Sequence, residues 1–183
     1  SVKKTLPAKN IVFTDTLSTK TEILNTLTSE FDDILGDFVL SHPIAGSEKS
    51  TLDNSKSDLF ENKVVVISPH AQNRQNSIDQ VINFWSLLGS SSKILSHKDH
   101  DFLFSKTSHL PHVISYSLTE CLFRNLGDIT FDYSGGSLED YTRIASSDPL
   151  MWKDIMISNR QNILDSIEDF EESLSSLKNL IKN

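Results

Sequence analysis

The chain has 183 residues, a formal net charge of −8 and a single cysteine, Cys121. The excess of acidic residues argues against a nucleic-acid partner, which requires clustered Lys and Arg, and no apolar run approaches the roughly 20 residues that cross a bilayer. One cysteine allows no intrachain disulfide, so we expect a reducing, cytoplasmic setting.

The first half of the chain alternates short apolar runs with amphipathic segments. The apolar runs predict four β-strands, at residues 10–14, 38–40, 63–68 and 93–96. Apolar residues at helical spacing predict helices over residues 21–35 and 77–88. Strands that alternate with helices are typical of parallel βαβ units. Residues 1–96 are therefore predicted to form an α/β domain with a parallel sheet.

The second half of the chain contains no predicted strand. Residues 98–125 are compatible with a helix that Pro111 should kink, and residues 127–137 are predicted to form a loop. Asp148 followed by Pro149 is typical of a helix N-terminus. Residues 97–183 are therefore predicted to form an all-helical domain.

The final segment carries an apolar seam. Its members alternate four and three residues apart, and they are Ile163, Ile167, Phe170, Leu174, Leu177 and Ile181. This spacing predicts packing against an antiparallel helix or against a second subunit. One face of an ordinary bundle helix explains the spacing equally well, and both interpretations stay open.

The predicted sheet lacks the sequence that usually opens a doubly wound dinucleotide-binding fold. Such a fold begins with a strand and a glycine-rich turn at a helix N-terminus, where the pyrophosphate binds. The chain has six glycines and no G-x-G-x-x-G sequence. We therefore expect the second half of such a sheet without its first half.

Polar residues follow the first two predicted strands. Asp15 and Ser18 come after residues 10–14, and His42, followed by Pro43, comes after residues 38–40. Residues at the carboxyl ends of parallel strands face the ligand crevice, and a histidine suits proton transfer near neutral pH. Ser18 could equally cap the following helix, and His42 could be a surface loop residue.

Two histidine pairs three residues apart raise the question of a metal site. His97 pairs with His100, and His109 pairs with His112 beside Pro111. Neither pair has an obvious third ligand and no cysteine cluster supports zinc, so no metal site is predicted. A histidine at a proline kink is favoured to contact a substrate, although His109 could be structural.

Arg143 is predicted to lie on a short helix beside the loop. A guanidinium group there suits recognition of a carboxylate through two hydrogen bonds. Asp140, three residues earlier, could instead form an ordinary surface ion pair with Arg143. From these residues alone, the surface pair is favoured.

Three motifs in this order resemble the prephenate/arogenate dehydrogenase family. They are His-Pro-Ile-Ala-Gly-Ser-Glu at 42–48, Ser-His-Leu-Pro-His at 108–112, and Asp-x-Thr-Arg-Ile-Ala-x-Ser-Asp-Pro-x-Met-Trp at 140–152. Asp15-x-x-Ser18-x-Lys20 is similar to a family motif that follows a strand. The resemblance runs from about residue 10 to the last helix. Where the family pattern has Gly after the lysine, this chain has Thr21, which replaces no chemical group.

The resemblance implies a partial Rossmann-type sheet followed by a helical domain that forms a homodimer. It also implies oxidative decarboxylation of prephenate or arogenate in tyrosine biosynthesis, with hydride transfer to NAD or NADP. Without a glycine-rich half, the 183 residues alone are expected to show no turnover. The alternative is a non-catalytic helical dimer that senses tyrosine or a related aromatic acid, but every matched chemical residue is retained.

The resemblance further implies roles for individual residues. His42 resembles the catalytic histidine that accepts the hydroxyl proton, and Ser18 resembles the residue that hydrogen-bonds the same hydroxyl. Asp15 and Ser18 are expected near the cofactor. Arg143 resembles the arginine that binds the substrate carboxylate. Further substrate-pocket positions are matched by His112, Glu48, Asp140 and Trp152.

Overall fold

The computed structural model describes residues 11–45, 56–127, 133 and 135–183. Contacts between residues divide the chain into two compact units, Ser1–Asp101 and Phe102–Asn183. The domain division at residues 96 and 97 remains a prediction.

The first unit contains a four-stranded sheet whose spatial order follows the chain. Its strands are β1 (Phe13–Thr14), β2 (Phe38–Pro43), β3 (Val64–Ser68) and β4 (Ser91–Ile94). β1 pairs with β2, and β3 with β4, in parallel, whereas β2 and β3 are antiparallel. The predicted fold class, a partial Rossmann-type sheet followed by helices, is confirmed. The expectation that the whole sheet is parallel was wrong at its central pairing.

A physical reason for the antiparallel pairing lies in the connection between β2 and β3. A parallel pair requires a crossover of about a dozen residues or more, usually a helix. The described residues of this connection, 44–45 and 56–63, form turns and bends and include no helix. The sequence between residues 40 and 63 also predicts no helix, which is the signal that the sheet is mixed.

Both faces of the sheet are covered by helices of the first unit, α1 (Thr21–Glu30) and α2 (Gln75–Leu87). Side chains alternate between the two faces along β2. Val39 packs with Val81 and Trp85 of α2, whereas Leu40 packs with Leu27 of α1. By the same alternation Ser41 lies on the α2 face and His42 on the α1 face.

Helix α1 is shorter than predicted from the apolar spacing. It ends at Glu30, and a 3-10 turn at Leu35–Asp37 follows. The last turn of α1 has no basic residue, and Asp32 and Asp33 follow it. Negative charge at the C-terminus of a helix opposes the helix dipole, which favours termination there.

The predicted helix at 98–125 is present as three consecutive helical elements. They are α3 (His97–Phe104), a π-helical turn (Ser105–His109) and α4 (Leu110–Leu126). Pro111 lies in the first turn of α4, so the irregularity comes before the proline rather than at it. A wider π turn there relieves the loss of an N–H and the clash with a preceding carbonyl that proline causes in a regular helix.

The remaining helices of the second unit are α5 (Gly136–Ala145), α6 (Pro149–Ser158) and α7 (Arg160–Lys182). Asp148 caps α6, because its Oδ1 accepts from the Leu150 backbone N–H at 2.9 Å. Along α7, Ile163 is buried, whereas Leu174, Leu177 and Ile181 are more than half exposed in the single chain. Within the described residues, no helix has the length and apolar character that crossing a membrane requires.

Candidate active site

The turn after β1 is held by a buried ion pair between Lys20 and Asp15. Lys20 Nζ also donates to the Ser41 carbonyl at 2.6 Å. Asp15 accepts in addition from the backbone N–H groups of Leu17 and Ser41, at 2.9 and 3.1 Å. Burial lowers the pKa of Lys20, and the nearby Asp15 and Asp101 carboxylates oppose that shift. The pair therefore ties the turn to the middle of β2.

The N-terminus of α1 is capped by a residue distant in sequence. Asp101 accepts from the backbone N–H groups of Lys20 and Thr21, each at 2.8 Å. Lys20 is the N-cap residue and Ser18 lies two positions before it, so the alternative that Ser18 caps this helix was wrong. Burial acts to raise the pKa of Asp101, but hydrogen bonds from His100, Thr21 and Lys20 hold it below its usual value.

On the face of the sheet that α1 covers, His42 contacts a second histidine, His100. Its Nδ1 lies 2.8 Å from His100 Nε2, and His100 Nδ1 lies 2.8 Å from Asp101 Oδ1. His100 and Asp101 are fully buried, whereas His42 is partly exposed. The three side chains form a continuous hydrogen-bonded series that ends at the N-terminus of α1. We call this series the histidine relay.

Two of the three relay residues were not predicted from the sequence. His100 was predicted only as a possible partner of His97 in a metal pair, and Asp101 was not among the predicted site residues. Their signal in the sequence is an adjacent His-Asp pair at the start of the first helix after the last strand. Within the described residues, no group of three or more metal-binding side chains is found.

In the second unit, two predicted substrate-pocket residues are in contact. The rings of His112 and Trp152 stack, with centroids 3.5 Å apart and planes 20° apart. His112 Nδ1 lies 2.9 Å from the Ser108 carbonyl, which only accepts, so the proton lies on Nδ1. Burial lowers the pKa of His112. The neutral ring is therefore favoured, with Nε2 as an acceptor.

The indole N–H of Trp152 is buried beside this stack and has no acceptor among the described residues. A buried donor without a partner costs about 1–3 kcal/mol. A ligand oxygen that reached this N–H would remove that cost. The stack thus carries one acceptor, His112 Nε2, and one buried donor, Trp152 Nε1, that has no acceptor among the described residues.

Arg143 and Asp140 lie on α5, which packs against α4, the helix that carries His112. Arg143 Nη2 is 3.6 Å from Asp140 Oδ1, and the two side chains are 53% and 76% exposed. This is the surface pair that the residue types favoured, and it is longer than a hydrogen bond. Glu48, the remaining predicted pocket residue, lies outside the described residues.

The N-terminus of α1 does not form a cradle for a dinucleotide pyrophosphate. Such a cradle uses backbone N–H groups at a helix N-terminus, and at α1 those of Lys20 and Thr21 are bound by Asp101. The chain also has no G-x-G-x-x-G sequence. Asp15 already accepts from three groups of its own chain. Cofactor contacts by Asp15 and Ser18 therefore remain predictions.

Two protein-family descriptions match the chain and together cover nearly all of it. "Prephenate dehydrogenase, nucleotide-binding domain" matches residues 2–94, just over half of the chain, and "Prephenate dehydrogenase, dimerization domain" matches residues 96–183. The chain belongs to the prephenate dehydrogenase family. The family predicted from the three motifs is thereby confirmed.

Relatives of the chain are dehydrogenases of this family. A cyclohexadienyl dehydrogenase of Zymomonas mobilis is 32% identical over 94% of this chain and 59% of its own length. A prephenate dehydrogenase of Bacillus subtilis is 30% identical over 94% of this chain and 47% of its own length. These relatives give no support to the alternative of a non-catalytic sensor.

The fold also matches a solved family member. A crystal structure of prephenate dehydrogenase from Aquifex aeolicus, in complex with hydroxyphenyl propionate and NAD+, aligns with a TM-score of 0.86 at 37% identity. The alignment covers 93% of this chain and 59% of that protein. The chain thus spans about half to three fifths of the length of these relatives.

Proposed function

We propose that this protein takes part in the oxidative decarboxylation of prephenate or arogenate in tyrosine biosynthesis. The ring hydroxyl loses its proton, the carbinol carbon gives up a hydride, and the ring carboxylate leaves as carbon dioxide while the ring becomes aromatic. A nicotinamide supplies the hydride acceptor. The observation that carries the proposal is the histidine relay, which holds His42 in a defined hydrogen-bonded position on β2.

The first unit supplies the acid–base group in this proposal. His42 accepts the proton of the ring hydroxyl, and its partial exposure leaves it accessible to a ligand. Ser18, on the turn after β1, hydrogen-bonds the same hydroxyl. The buried pair of Asp15 and Lys20 fixes this turn against β2, so Asp15 contributes by positioning the turn.

The second unit supplies substrate-recognition groups. Arg143 binds a substrate carboxylate, because its side chain is 53% exposed and a guanidinium group can form two hydrogen bonds to a carboxylate. The acceptor on His112 and the unpartnered indole N–H of Trp152 bind polar groups of the substrate. Asp140 is a further proposed substrate contact of this unit, and Glu48, whose sequence position belongs to the first unit, is another.

We further propose that NAD is the cofactor and that the protein is a homodimer. NAD is favoured because the related Aquifex structure holds NAD+. Assays with each cofactor decide whether NADP+ is also a hydride acceptor.

Dimerisation is favoured by the matched dimerization domain and by the exposed Leu174, Leu177 and Ile181 of α7. Residues 1–96 would belong to the nucleotide-binding domain and residues 97–183 to the substrate and dimerisation domain. The expected cytoplasmic setting depends on the single Cys121.

Steady-state assays of the full-length gene product test this proposal. Prephenate and arogenate are each tested with NAD+ and with NADP+, and reduced cofactor is followed by absorbance. Turnover with at least one combination is expected. The 183 residues alone are expected to give none, because their sequence contains no G-x-G-x-x-G turn and Asp101 binds the N–H groups at the start of α1. Absence of turnover with all four combinations in the full-length protein would contradict the proposal.

A further inference from the structure

The positions of the protons in the histidine relay follow from Asp101, the relay residue that is bonded to the N-terminus of α1. The Asp101 carboxylate accepts from two backbone N–H groups at the start of α1. Since these bonds and the contact with His100 hold the pKa of Asp101 below its usual value, the group is an ionised acceptor near neutral pH. An ionised carboxylate has no proton to donate. The proton in the 2.8 Å contact with His100 therefore lies on His100 Nδ1.

If both rings are neutral, the contact between His100 and His42 allows only one placement of its proton. A neutral imidazole with its proton on Nδ1 carries a lone pair on Nε2. His100 Nε2 must accept from His42 Nδ1 in their 2.8 Å contact. The proton of His42 is thus placed on Nδ1, and its lone pair on Nε2. In water, a histidine side chain favours the opposite tautomer, with the proton on Nε2.

We propose that His100 and Asp101 are positioning residues that fix His42 as the Nδ1–H tautomer and so make Nε2 its proton acceptor. The inference rests on the proposed function of His42 as the base. When His42 accepts the hydroxyl proton, the O–H bond breaks and an N–H bond forms at Nε2. The resulting imidazolium keeps its Nδ1–H bond to His100, whose own Nδ1–H remains bonded to Asp101. A His42 with its proton on Nε2 would present a donor to the hydroxyl and could not take this proton.

The tautomer of His42 is directly measurable without turnover. The purified protein is labelled with ¹⁵N in its histidine rings, and long-range ¹H–¹⁵N correlations are recorded at about pH 8.5, where neutral rings are favoured. The His42 and His100 signals are assigned by their loss in His42→Gln and His100→Leu. Protons on Nδ1 of both residues are expected. A His42 proton on Nε2, or a His100 protonated on both nitrogens, would overturn the inference.

The variant His100→Leu tests the consequence for catalysis. Leucine removes both ring contacts but leaves Asp101 bonded to Lys20 and Thr21. His42 should then shift towards the Nε2–H tautomer. In the full-length gene product, kcat should fall by roughly 10²- to 10³-fold, in the lower part of the range for a positioned acid–base group, while KM changes little. His97→Leu makes the same substitution at the first residue of the same helix and should leave both the tautomer and kcat unchanged.

A conservative variant separates positioning from simple loss of folding. Glutamine in His100→Gln retains one donor for Asp101 and one acceptor for His42. It should restore part of the kcat that His100→Leu loses, and it serves as the test if the leucine variant does not fold. If neither variant lowers kcat, or if both lose it equally while folded, the positioning role is overturned.

The outcome for His42 itself separates this inference from the proposed function. Loss of turnover in His42→Asn with normal turnover in His100→Leu would remove the positioning role and keep His42 as the base. Normal turnover in His42→Asn would remove the proposed function of His42, whatever tautomer the spectra show.

Discussion

The two units hold their functional side chains in different ways. In the first unit, His42 is bonded to a buried His100, which is bonded to a buried Asp101. In the second unit, Arg143 is half exposed and its Nη2 lies 3.6 Å from Asp140 Oδ1. A base must have the correct tautomer before the substrate arrives, whereas a guanidinium can acquire its geometry from the carboxylate that it binds. Under the proposed function, this difference corresponds to a base that is preorganised in the first unit and to a guanidinium in the second unit that its ligand orients.

The same contrast appears in the ion pairs of the two units. Lys20 and Asp15 are a buried pair whose members also bond to Ser41. Lys106 and Asp169, in the second unit, are bonded at 2.6 Å but are 37% and 69% exposed. Breaking a buried pair leaves a charge without compensation, whereas an exposed pair contributes little to stability. The buried pair is therefore expected to matter for folding as well as for the site.

The largest expected effect is on turnover in His42→Asn. Asparagine keeps a polar group on β2 but cannot accept the proton, so kcat of the full-length gene product should fall by about 10²- to 10⁴-fold. Substrate binding should change much less. Steady-state kinetics from about pH 6 to 9 measure this, with His97→Asn as the control. Near-normal turnover of His42→Asn across that range would show that the relay has no part in proton transfer.

The next effect is on stability in Lys20→Met. This variant leaves the Asp15 carboxylate buried without its partner, which should lower the free energy of unfolding by about 3–5 kcal/mol. Lys106→Met, in the exposed pair with Asp169, should cost less than about 1 kcal/mol. Urea denaturation of both variants makes the comparison. Equal losses would mean that burial does not distinguish the two pairs.

A smaller effect is expected for substrate affinity in Arg143→Ala. Loss of a charge-assisted pair with a carboxylate, reduced because the side chain is half exposed, should weaken substrate binding by roughly 10- to 100-fold. Arg143→Lys should restore only part, since an ammonium group lacks the two-pronged geometry. Arg124→Ala removes an arginine from another exposed pair, with Glu120, and serves as the control. Unchanged affinity of Arg143→Ala would reassign Arg143 to a surface pair with Asp140.

The smallest expected effect is the contribution of His112 to the pH dependence of the free energy of unfolding. Burial lowers the pKa of His112 below its ordinary value of 6.5, so at pH values between the folded and unfolded pKa the unfolded chain binds more protons. The contribution of His112 to stability is therefore present above the unfolded pKa and is lost as pH falls through this window. His112→Gln should reduce this loss, as measured by urea denaturation at about pH 5.5 and 7.5. The same difference in parent and variant would contradict the assignment.

Local patterns in the sequence predicted much of this fold. The strand β3, the helix α2 and the cap of α6 by Asp148 follow from apolar spacing and from short-range capping rules. The fold class and the family were predicted as well. The strand, the helix and the cap depend on residues close together in the chain, where spacing carries the information, whereas the family was predicted from the resemblance of three motifs.

Contacts between distant residues could not be predicted in this way. His42 and His100 are 58 residues apart, and Lys20 and Asp101 are 81 apart, so nothing in the local spacing joins them. The π turn before Pro111 depends on how the helix accommodates a missing N–H, and a kink at the proline itself satisfies the sequence equally well. The proposed substrate role of Arg143 depends on a carboxylate, and the residue types alone favoured the pair with Asp140.

Kinetic parameters of His42→Asn and Arg143→Ala, measured side by side in the full-length gene product, test the division of roles between the units most directly. His42→Asn should lower kcat by about 10²-fold or more with little change in KM. Arg143→Ala should raise KM with a smaller change in kcat, because uniform binding is lost. If the two variants change the same parameter to the same extent, or if neither changes either parameter, the assignment of proton transfer to the first unit and recognition to the second is contradicted.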